Sequence, residues 1–226
     1  MGQVRIQVDT MTNPITQMGY YAGICYGSDI SSDAKNYNRG IECLQNNHGR
    51  VLEIPQVYMI LDSYSAKVIR EFYTHIGGMP TRLQSSTRYI NYKNFDYITP
   101  YSIVNNEEAC RTYDAVMQDI LDAYDRLQKL GIKNEDASGI LPLNMTTKVV
   151  VRTNLRNLID MSHQRMCARA YWEYRELMDD IKAALAKYSK EWNTIVDEYF
   201  VPKCEVFGYC TENKKNCRKP PRKNDY

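Results

Sequence analysis

The sequence predicts a mixed α and β protein (α/β, of the α+β kind), with a central sheet flanked by helices. Three observations support this prediction. Short segments rich in β-branched residues, such as residues 4–8 with their alternating apolar and polar side chains, predict strands. Longer segments with an apolar residue every three or four positions predict amphipathic helices. The chain has 226 residues, of which 43% are apolar, enough for one sizeable core.

In the first hundred residues, strands and short helices are predicted to alternate. Ser31-Ser32-Asp33 is a helix-start signal that follows the first strand and its loop. The β-rich residues 51–61 predict a second strand, and Ser63 or Ser65 is expected to cap the short helix after it. Alternating aromatic and polar residues favour another strand over residues 89–97.

The second half of the chain is predicted to be mainly helical. A clear amphipathic helix begins at Asn105-Asn106 and ends near Leu130-Gly131. The β-branched residues 148–151 fit either a strand or the entry to a helix. The longest periodic segment, residues 154–188, contains no glycine or proline and predicts one long helix. A further short helix is predicted over residues 191–200.

Composition narrows the function classes. A net charge of +2 gives no reason to expect non-specific nucleic-acid binding, and no apolar run is long enough to span a bilayer. Residues 1–6 lack the apolar core of a signal peptide, so we expect a cytoplasmic protein. The seven cysteines are then expected to be thiols, because the cytosol keeps cysteines reduced.

The chain is predicted to divide into a domain over residues 1–200 and a basic tail over residues 201–226. The tail contains Cys204, Cys210 and Cys217, and its last residues are expected to be loosely ordered. Three thiolates with a fourth ligand would bind zinc, but these cysteines do not have the usual Cys-x2-Cys spacing. We predict no metal site and interpret the tail as a docking segment with reduced thiols, zinc being the alternative.

The loop over residues 75–89 has the chemistry of an anion-binding segment. It contains a glycine pair, four hydroxyl side chains, an amide and two arginines: Gly77, Gly78, Thr81, Arg82, Gln84, Ser85, Ser86, Thr87 and Arg88. Glycines let backbone N–H groups approach a ligand closely, and arginine forks match phosphate oxygens. The loop therefore suits a nucleotide phosphate, although a polar surface loop would have the same composition.

The predicted long helix carries polar residues on two faces. At about 100° per residue, Arg156, Asp160 and His163 share one stripe, whereas Asn154 and Arg165 lie on roughly the opposite side. An Arg/Asp pair at this spacing is a common surface salt bridge. The alternative is that both faces contact ligands, which a straight helix achieves when it lies between subunits. That alternative predicts an oligomer with sites at subunit interfaces.

Four stretches, in order, resemble the flavin-dependent thymidylate synthases over roughly residues 1–200. Tyr21-Ala22-Gly23-Ile24-Cys25-Tyr26 is similar to that family's Ala-Arg-x-Cys-Tyr segment, and His48-Gly49-Arg50-Val51-Leu52-Glu53 to its Gly-His…Leu-Glu-His segment. Arg70 to His75 with Ser86-Thr87-Arg88-Tyr89 is similar to Arg-His-Arg, seven residues, then Ser-x-Arg-Tyr. Asn154-Leu155-Arg156 through Arg165 to Ala170-Tyr171-Trp172-Glu173 is similar to Asn-x-Arg-Ser-Leu…Arg…Ala-Gln-x-Glu. The order and spacing of the four stretches make the resemblance specific.

The chain departs from this pattern mainly in the third stretch. The Arg-His-Arg triplet is Thr74-His75-Ile76 here, and nine residues instead of seven separate it from Ser86. Three further positions differ: Glu71 stands for a glutamine, Ile54 for a histidine and Ser138 for an arginine. Arg82, in the lengthened loop, is expected to replace one of the lost cationic groups.

The resemblance implies a central, mostly antiparallel sheet flanked by helices, with a long C-terminal helix. It also implies a homotetramer with active sites at subunit interfaces, whose partners are dUMP and folate, with no membrane and no nucleic acid. The implied reaction is methylation of dUMP to dTMP. Methylenetetrahydrofolate supplies the carbon, and FAD reduced by NADPH supplies the hydride. That family uses no enzyme nucleophile, which agrees with cysteines that lie among apolar or helical neighbours.

The resemblance also implies which residues act. Arg165 is the expected catalytic residue, because it would contact the uracil ring and stabilise negative charge as C5 becomes nucleophilic. The dUMP-binding set is Glu71, Arg82, Gln84, Ser85, Ser86, Arg88 and Arg165, of which Ser86 and Arg88 are the first expected phosphate contacts. The FAD-binding set is His48, Thr74, His75, Ile76, Asn154, Arg156 and Asp160, with Asp160 in place of the usual amide. His163 is expected near folate or flavin.

Two other functions stay open at this point. The altered triplet also fits a related flavin- and folate-dependent enzyme that makes a different pyrimidine, such as 5-hydroxymethyl-dUMP. The changes at Thr74, Ile54 and Ser138 fit a non-catalytic nucleotide-binding homologue. The presence of the expected site residues Arg88, Asn154, Arg156 and Arg165 favours an enzyme.

Overall fold

The protein contains a four-stranded antiparallel sheet. The computed structural model describes residues 2–211 and residue 217. The strands are β1 Gln3–Ile6, β2 Gln56–Ser65, β3 Thr81–Gln84 and β4 Thr146–Asn154, in the order β1-β2-β4-β3. The Leu155 amide donates to the Pro55 carbonyl at 3.0 Å and the Ala66 amide to the Met145 carbonyl at 2.9 Å. This pairing shows that β2 and β4 run in opposite directions. The predicted α and β fold with a mostly antiparallel sheet is confirmed.

Helices account for most of the remaining described chain. In order they are α1 Pro14–Cys25, α2 Asp33–Gln45, α3 Ala66–Phe72, α4 Tyr101–Val104, α5 Glu107–Lys129, α6 Asn134–Ala137, α7 Leu155–Arg165, α8 Trp172–Tyr188, α9 Lys190–Tyr199 and α10 Lys203–Phe207, with 3-10 turns at Val51–Glu53 and Ser138–Ile140. The predicted caps are present. The Ser65 hydroxyl accepts from the Val68 amide at 3.1 Å, and the Asn106 side chain accepts from the Ala109 amide at 3.1 Å.

The chain divides into two compact units. The first comprises Met1–Gln3, Leu61–Phe72 and Leu83–Val149, and the second comprises Val4–Ile60, Tyr73–Arg82 and Val150–Tyr226. In the first unit, Met117 and Tyr124 of α5 belong to a buried cluster with Tyr92, Phe95 and Met145. The predicted α5 is therefore confirmed in position.

In the second unit, α1 and α2 approach closely through glycine. A Cβ on Gly19 would lie 1.7 Å from the Asn36 carbonyl oxygen, so this crossing has no room for a side chain. Helices α8 and α9 contribute fully buried residues, among them Tyr174, Leu185 and Trp192.

The prediction of one long helix over residues 154–188 needs correction, because residues 166–171 separate α7 from α8. The Arg175 guanidinium donates to the carbonyl oxygens of Ala168 at 2.8 Å and Ala170 at 3.2 Å. These hydrogen bonds stabilise the turn without glycine or proline. The strand expected over residues 89–97 is also wrong. Only Tyr97 pairs as a bridge, with Met145.

No helix among the described residues is both long and apolar enough to cross a membrane. All seven cysteines are free thiols. Within residues 2–211 and residue 217, no three His, Cys, Asp or Glu side chains are grouped so that they could hold a metal ion. The basic run at residues 218–223 and the final residues, which the sequence predicts to be loosely ordered, lie outside the described residues. The division into a domain and a tail near residue 200 stays a prediction.

Candidate functional site

The junction between β4 and α7 positions much of the candidate site in the second unit. β4 ends at Asn154, and α7 begins at the next residue. The Asn154 side chain is 3% exposed, and its oxygen accepts from the Asn157 amide at 2.9 Å. Asn154 is therefore the N-cap of α7. The buried face of α7 includes Leu155 and Leu158, whereas Arg156 lies on the exposed side.

Arg156 lies beside the turn that carries His48. Its guanidinium pairs with the Glu53 carboxylate at 2.7 Å and retains 48% of its side-chain exposure. A Cβ on Gly49 would lie 3.1 Å from the Arg156 guanidinium carbon, so the turn backbone packs closely there. The structure thus brings the exposed His48 segment and Arg156 together, two parts of the predicted FAD-binding set.

Asp160 and His163 lie further along the same helix. Asp160 is exposed, and His163 is half-buried. Burial lowers the pKa of His163; the Asp160 charge opposes this shift and the Lys203 charge adds to it. The predicted stripe therefore places a carboxylate close to this imidazole.

His75 and Arg165 form the central polar contact of the second unit. His75 is 9% exposed, and its Nε2 accepts a hydrogen bond from the Arg165 Nε at 3.0 Å. Burial, and then the positive charges of Arg165 and Arg82, lower the pKa of His75 to about 4. The imidazole is thus neutral at physiological pH, and Nε2 is its unprotonated nitrogen.

A buried tyrosine fixes both partners of that contact. Tyr174, on α8, presents its ring 4.8 Å from the Arg165 guanidinium carbon. The same ring meets the His75 ring edge-on, with centroids 6.0 Å apart and planes at 70°. Sequence reasoning missed Tyr174, because one unbroken helix over residues 154–188 would place this residue on a different helix face from Arg165.

The loop that carries His75 turns back against Asn154. Gly78 has φ of 68°, and a Cβ there would lie 1.9 Å from the Asn154 Nδ2. Gly78 is needed both for its left-handed backbone and for this close approach. Ile76 and Met79 are 73% and 84% exposed, so apolar burial contributes little to the loop. His75, Ile76 and Asn154, three of the predicted FAD-binding residues, thus belong to one neighbourhood; Thr74 is exposed in the same loop.

Arg82 closes this loop from β3. Its Nη1 donates to the Tyr73 carbonyl oxygen at 3.3 Å, and its Nη2 donates to the carbonyl oxygen of His75. Its guanidinium carbon lies 5.1 Å from the centroid of the Tyr73 ring. In this structure its terminal nitrogens bind the loop backbone, and the phosphate contact expected for Arg82 stays a prediction.

The predicted phosphate segment belongs to the first unit. The Gln84 amide donates to the Thr147 hydroxyl at 3.3 Å, and the Ser85 amide donates to the Lys148 carbonyl at 2.8 Å. The Ser86 hydroxyl accepts from the Arg88 amide at 3.2 Å. These contacts attach the start of the segment to β4.

Arg88 pairs with a carboxylate in the same unit. Its Nε donates to Glu135 at 3.0 Å, with 65% of the Arg88 side chain exposed. Exposed pairs of this kind contribute little to stability. Glu71 lies half-buried on α3 in this unit. Sequence reasoning did not find Glu135, since the only local signal there was the start of a short helix.

Comparison with known proteins identifies the family. The family model described as thymidylate synthase complementing protein matches residues 8–189. The flavin-dependent thymidylate synthase of Nitratidesulfovibrio vulgaris is 28% identical over 183 residues, covering 76% of this chain and 71% of that protein.

Two archaeal relatives of the same name are more similar over shorter alignments. The protein of Thermococcus onnurineus is 33% identical over 135 residues (58% of this chain, 55% of that protein), and that of Pyrococcus furiosus is 33% identical over 147 residues (62% and 60%). The chain thus spans less than two thirds of either archaeal relative. The family match covers most of the chain, and it shows that this protein belongs to the thymidylate synthase complementing protein family of enzymes.

Proposed function

We propose that this protein is a flavin-dependent thymidylate synthase that methylates dUMP to dTMP. In this proposal FAD is the flavin, methylenetetrahydrofolate is the carbon donor and NADPH is the reductant. The family match and the names of the relatives support the class of enzyme. The observation that carries the proposal is the orientation of Arg165 by a buried, neutral histidine and by the face of a buried tyrosine.

Arg165 is proposed to act on the pyrimidine. A guanidinium held in a fixed direction stabilises charge that develops on a bound ring, because its own reorganisation is already complete. His75 fixes that direction by accepting a hydrogen bond. Because its imidazole is neutral, it adds no second positive charge beside the Arg165 guanidinium. His75 stays neutral at physiological pH, because its pKa is lowered to about 4.

The phosphate of dUMP is proposed to bind the segment from Gln84 to Arg88. Ser85 and Ser86 supply hydroxyl groups there, and Arg88 supplies a cation. Its present partner Glu135 forms only an exposed ion pair, which a phosphate dianion can replace. Glu71 is proposed to contact the nucleotide through hydrogen bonding, since its carboxylate does not suit the phosphate.

The residues assigned to the flavin fit such a group. The exposed side chains of Ile76 and Met79 offer apolar surface to a flat ring system. Arg156 and His48 lie together and offer hydrogen-bond donors that suit a diphosphate. Asp160 suits a diphosphate less well because of its charge, and it is assigned to the edge of this group. When bound, the flavin supplies the hydride chemistry.

The proposal includes a cytoplasmic homotetramer with active sites at subunit interfaces. Its support is the distribution of the assigned residues, many of which remain at the surface of this single chain. His48, Thr74, Ile76, Arg88 and Asp160 are exposed. Exposed ligand-binding residues of this kind are expected where a second subunit completes a site.

A visible absorption spectrum tests the proposal directly. The purified protein, or the protein reconstituted with FAD, should show flavin absorption that changes on titration with dUMP. It should then convert dUMP with methylenetetrahydrofolate and NADPH. Mass analysis separates an added methyl group from an added hydroxymethyl group, the alternative suggested by the altered triplet. A protein that neither binds FAD nor turns over dUMP would refute the proposal.

A further inference from the structure

The position of Arg82 is informative because this chain lacks the usual Arg-His-Arg triplet. Thr74 and Ile76 flank His75, so neither neighbour can supply a cation to this segment. Arg82 reaches back over the intervening residues and binds the carbonyl oxygens of Tyr73 and His75. Its guanidinium also lies over the Tyr73 ring at 5.1 Å, a cation–π contact.

The loop between Tyr73 and Arg82 depends on polar contacts for its shape. Its tip contains two residues with left-handed backbone, Gly78 and Met79. Ile76 and Met79 are mostly exposed, and the tip is tied by Arg152, whose Nη2 donates to the Met79 carbonyl at 3.2 Å. The Arg82 fork closes the base of the loop, at the residue whose imidazole faces Arg165.

We propose that Arg82 is a positioning residue, whose two backbone hydrogen bonds hold His75 as the acceptor that aims Arg165. This inference rests on the proposed function for its catalytic consequence. Its structural part concerns His75 alone and is measurable without turnover.

The groups that face His75 come from three elements and explain how the arrangement works. Arg165 lies on α7, Tyr174 on α8 and Arg82 on β3. Both arginines lower the pKa of His75 in addition to its burial. A lysine at position 82 would keep the positive charge but would lack the planar fork that binds two carbonyl oxygens. The positioning role therefore requires the guanidinium geometry, whereas a purely electrostatic role would need only the charge.

The test uses nuclear magnetic resonance of the full chain labelled with ¹³C at histidine. The sequence contains three histidines, which single His→Gln variants assign. In the parent protein, His75 should show one tautomer, with the proton on Nδ1, and no titration above about pH 5. In Arg82→Met and Arg82→Lys, the single tautomer should give way to a mixture. In Arg82→Met, the His75 titration should also move to higher pH.

Kinetics then separate positioning from binding. Both variants should lose about tenfold or more in kcat with little change in KM for dUMP, and lysine should not restore the rate. Arg111→Met removes an exposed arginine of α5 as a matched control and should leave both readouts unchanged. Unchanged signals from His48 and His163 would show that the variants fold normally.

The outcomes are distinguishable from failure of the proposed function. If the parent lacks thymidylate synthase activity but His75 loses its single tautomer in both variants, the positioning role of Arg82 stands and the proposed function fails. If activity is present and Arg82→Met has the same His75 tautomer, the same His75 titration and the same kcat as the parent protein, the inference is overturned. Full rescue of the tautomer and kcat by Arg82→Lys would also overturn it, because charge alone would then suffice.

Discussion

Arg165 combines two constraints in one side chain, since His75 binds its Nε and Tyr174 lies against its guanidinium. Both partners come from segments distant in the sequence, so the direction of this arginine depends on tertiary packing. The predicted importance of Arg165 came from the resemblance of one helix. The two partners that fix its direction became visible only in three dimensions.

Arg165→Ala is expected to lower kcat by about 100-fold or more, because it removes a preorganised positive charge from the proposed site. The oligomeric state, measured by light scattering, should match that of the parent protein. Arg165→Lys keeps the charge without the fork and is expected to give an intermediate rate. Parent-like kcat in Arg165→Ala would contradict the catalytic role.

The buried His75 is expected to make stability depend on pH. Its folded pKa is about 4, below the ordinary value of 6.5, so between these values the unfolded chain binds a proton that the folded chain does not. The free energy of unfolding should therefore fall as pH drops from 6.5 toward 4, and this contribution is constant above that range. The loss is on the order of 3 kcal/mol at most.

Urea unfolding between pH 4.5 and pH 7.5 measures this loss, and His75→Gln should flatten the curve. His163 has a pKa shifted in the same direction, so His163→Gln serves as the comparison. If only His163→Gln flattened the curve, the contribution assigned to His75 would be wrong.

At the scale of elements, α1 depends on α9 for its N-terminus. Asn13 makes no side-chain cap, and α1 begins with Pro14. Instead the Glu191 carboxylate accepts from the Ile15 amide at 2.6 Å, the Thr16 amide at 3.0 Å and the Thr16 hydroxyl at 2.5 Å. The negative charge also suits the positive end of the helix dipole.

Glu191→Ala is expected to lower the free energy of unfolding by about 2–3 kcal/mol, because two helix amides and a hydroxyl lose a charged acceptor. Glu191→Gln should lose about half of that, since it keeps an acceptor oxygen but no charge. Urea unfolding measures both changes. Asp197→Ala, at an exposed position of α9, is the matched control and should have little effect. Equal stability of Glu191→Ala and this control would refute the cap.

The elements also show what a single sequence can and cannot reveal. The start of α5 was predictable because Asn106 is a local cap and its apolar stripe repeats without interruption. The break between α7 and α8 was not, because the Arg175 side chain stabilises it through carbonyls in the turn itself. Residues 89–97 show the converse error. Their alternating aromatic residues pack partly as a core cluster with α5, and no continuous strand forms.

The site shows the same limit. The sequence supplied the candidate residues His75, Asn154 and Arg165 through a family resemblance. It did not supply Tyr174, or the backbone partners of Arg82, because these contacts join residues whose separation carries no periodic signal. Chemical type was thus predictable from sequence, and mutual placement was not.

At the scale of the whole molecule, the two units carry different parts of the proposed chemistry. The first contains the segment from Gln84 to Arg88, assigned to the nucleotide phosphate. The second contains the His75–Arg165 contact and the residues assigned to the flavin. A mutation in the first unit is therefore expected to affect the nucleotide, whereas one in the second unit is expected to affect the flavin or, at Arg165, the pyrimidine.

The seven free thiols offer a measure of folding for the whole chain. Cys25 is exposed, whereas Cys43 is 4% exposed and burial raises its pKa. In the native protein, Cys25 should react early with a thiol reagent, and Cys43 should react only after unfolding. Cys25→Ser should remove a fast phase, while Cys43→Ser should leave the native reaction unchanged. Rapid native labelling of Cys43, mapped by mass spectrometry, would contradict its burial.

The direct join between β4 and α7 has a consequence for how the chain tolerates changes in length. No residue lies between Asn154 and Leu155 to absorb an insertion, so one added residue would rotate the rest of α7 by about 100° and advance it by about 1.5 Å. Arg165 would then point away from His75 even though every side chain was retained. We therefore expect the protein to tolerate inserted residues at exposed turns such as Gly131, and to lose the His75–Arg165 contact when a residue is inserted at this junction.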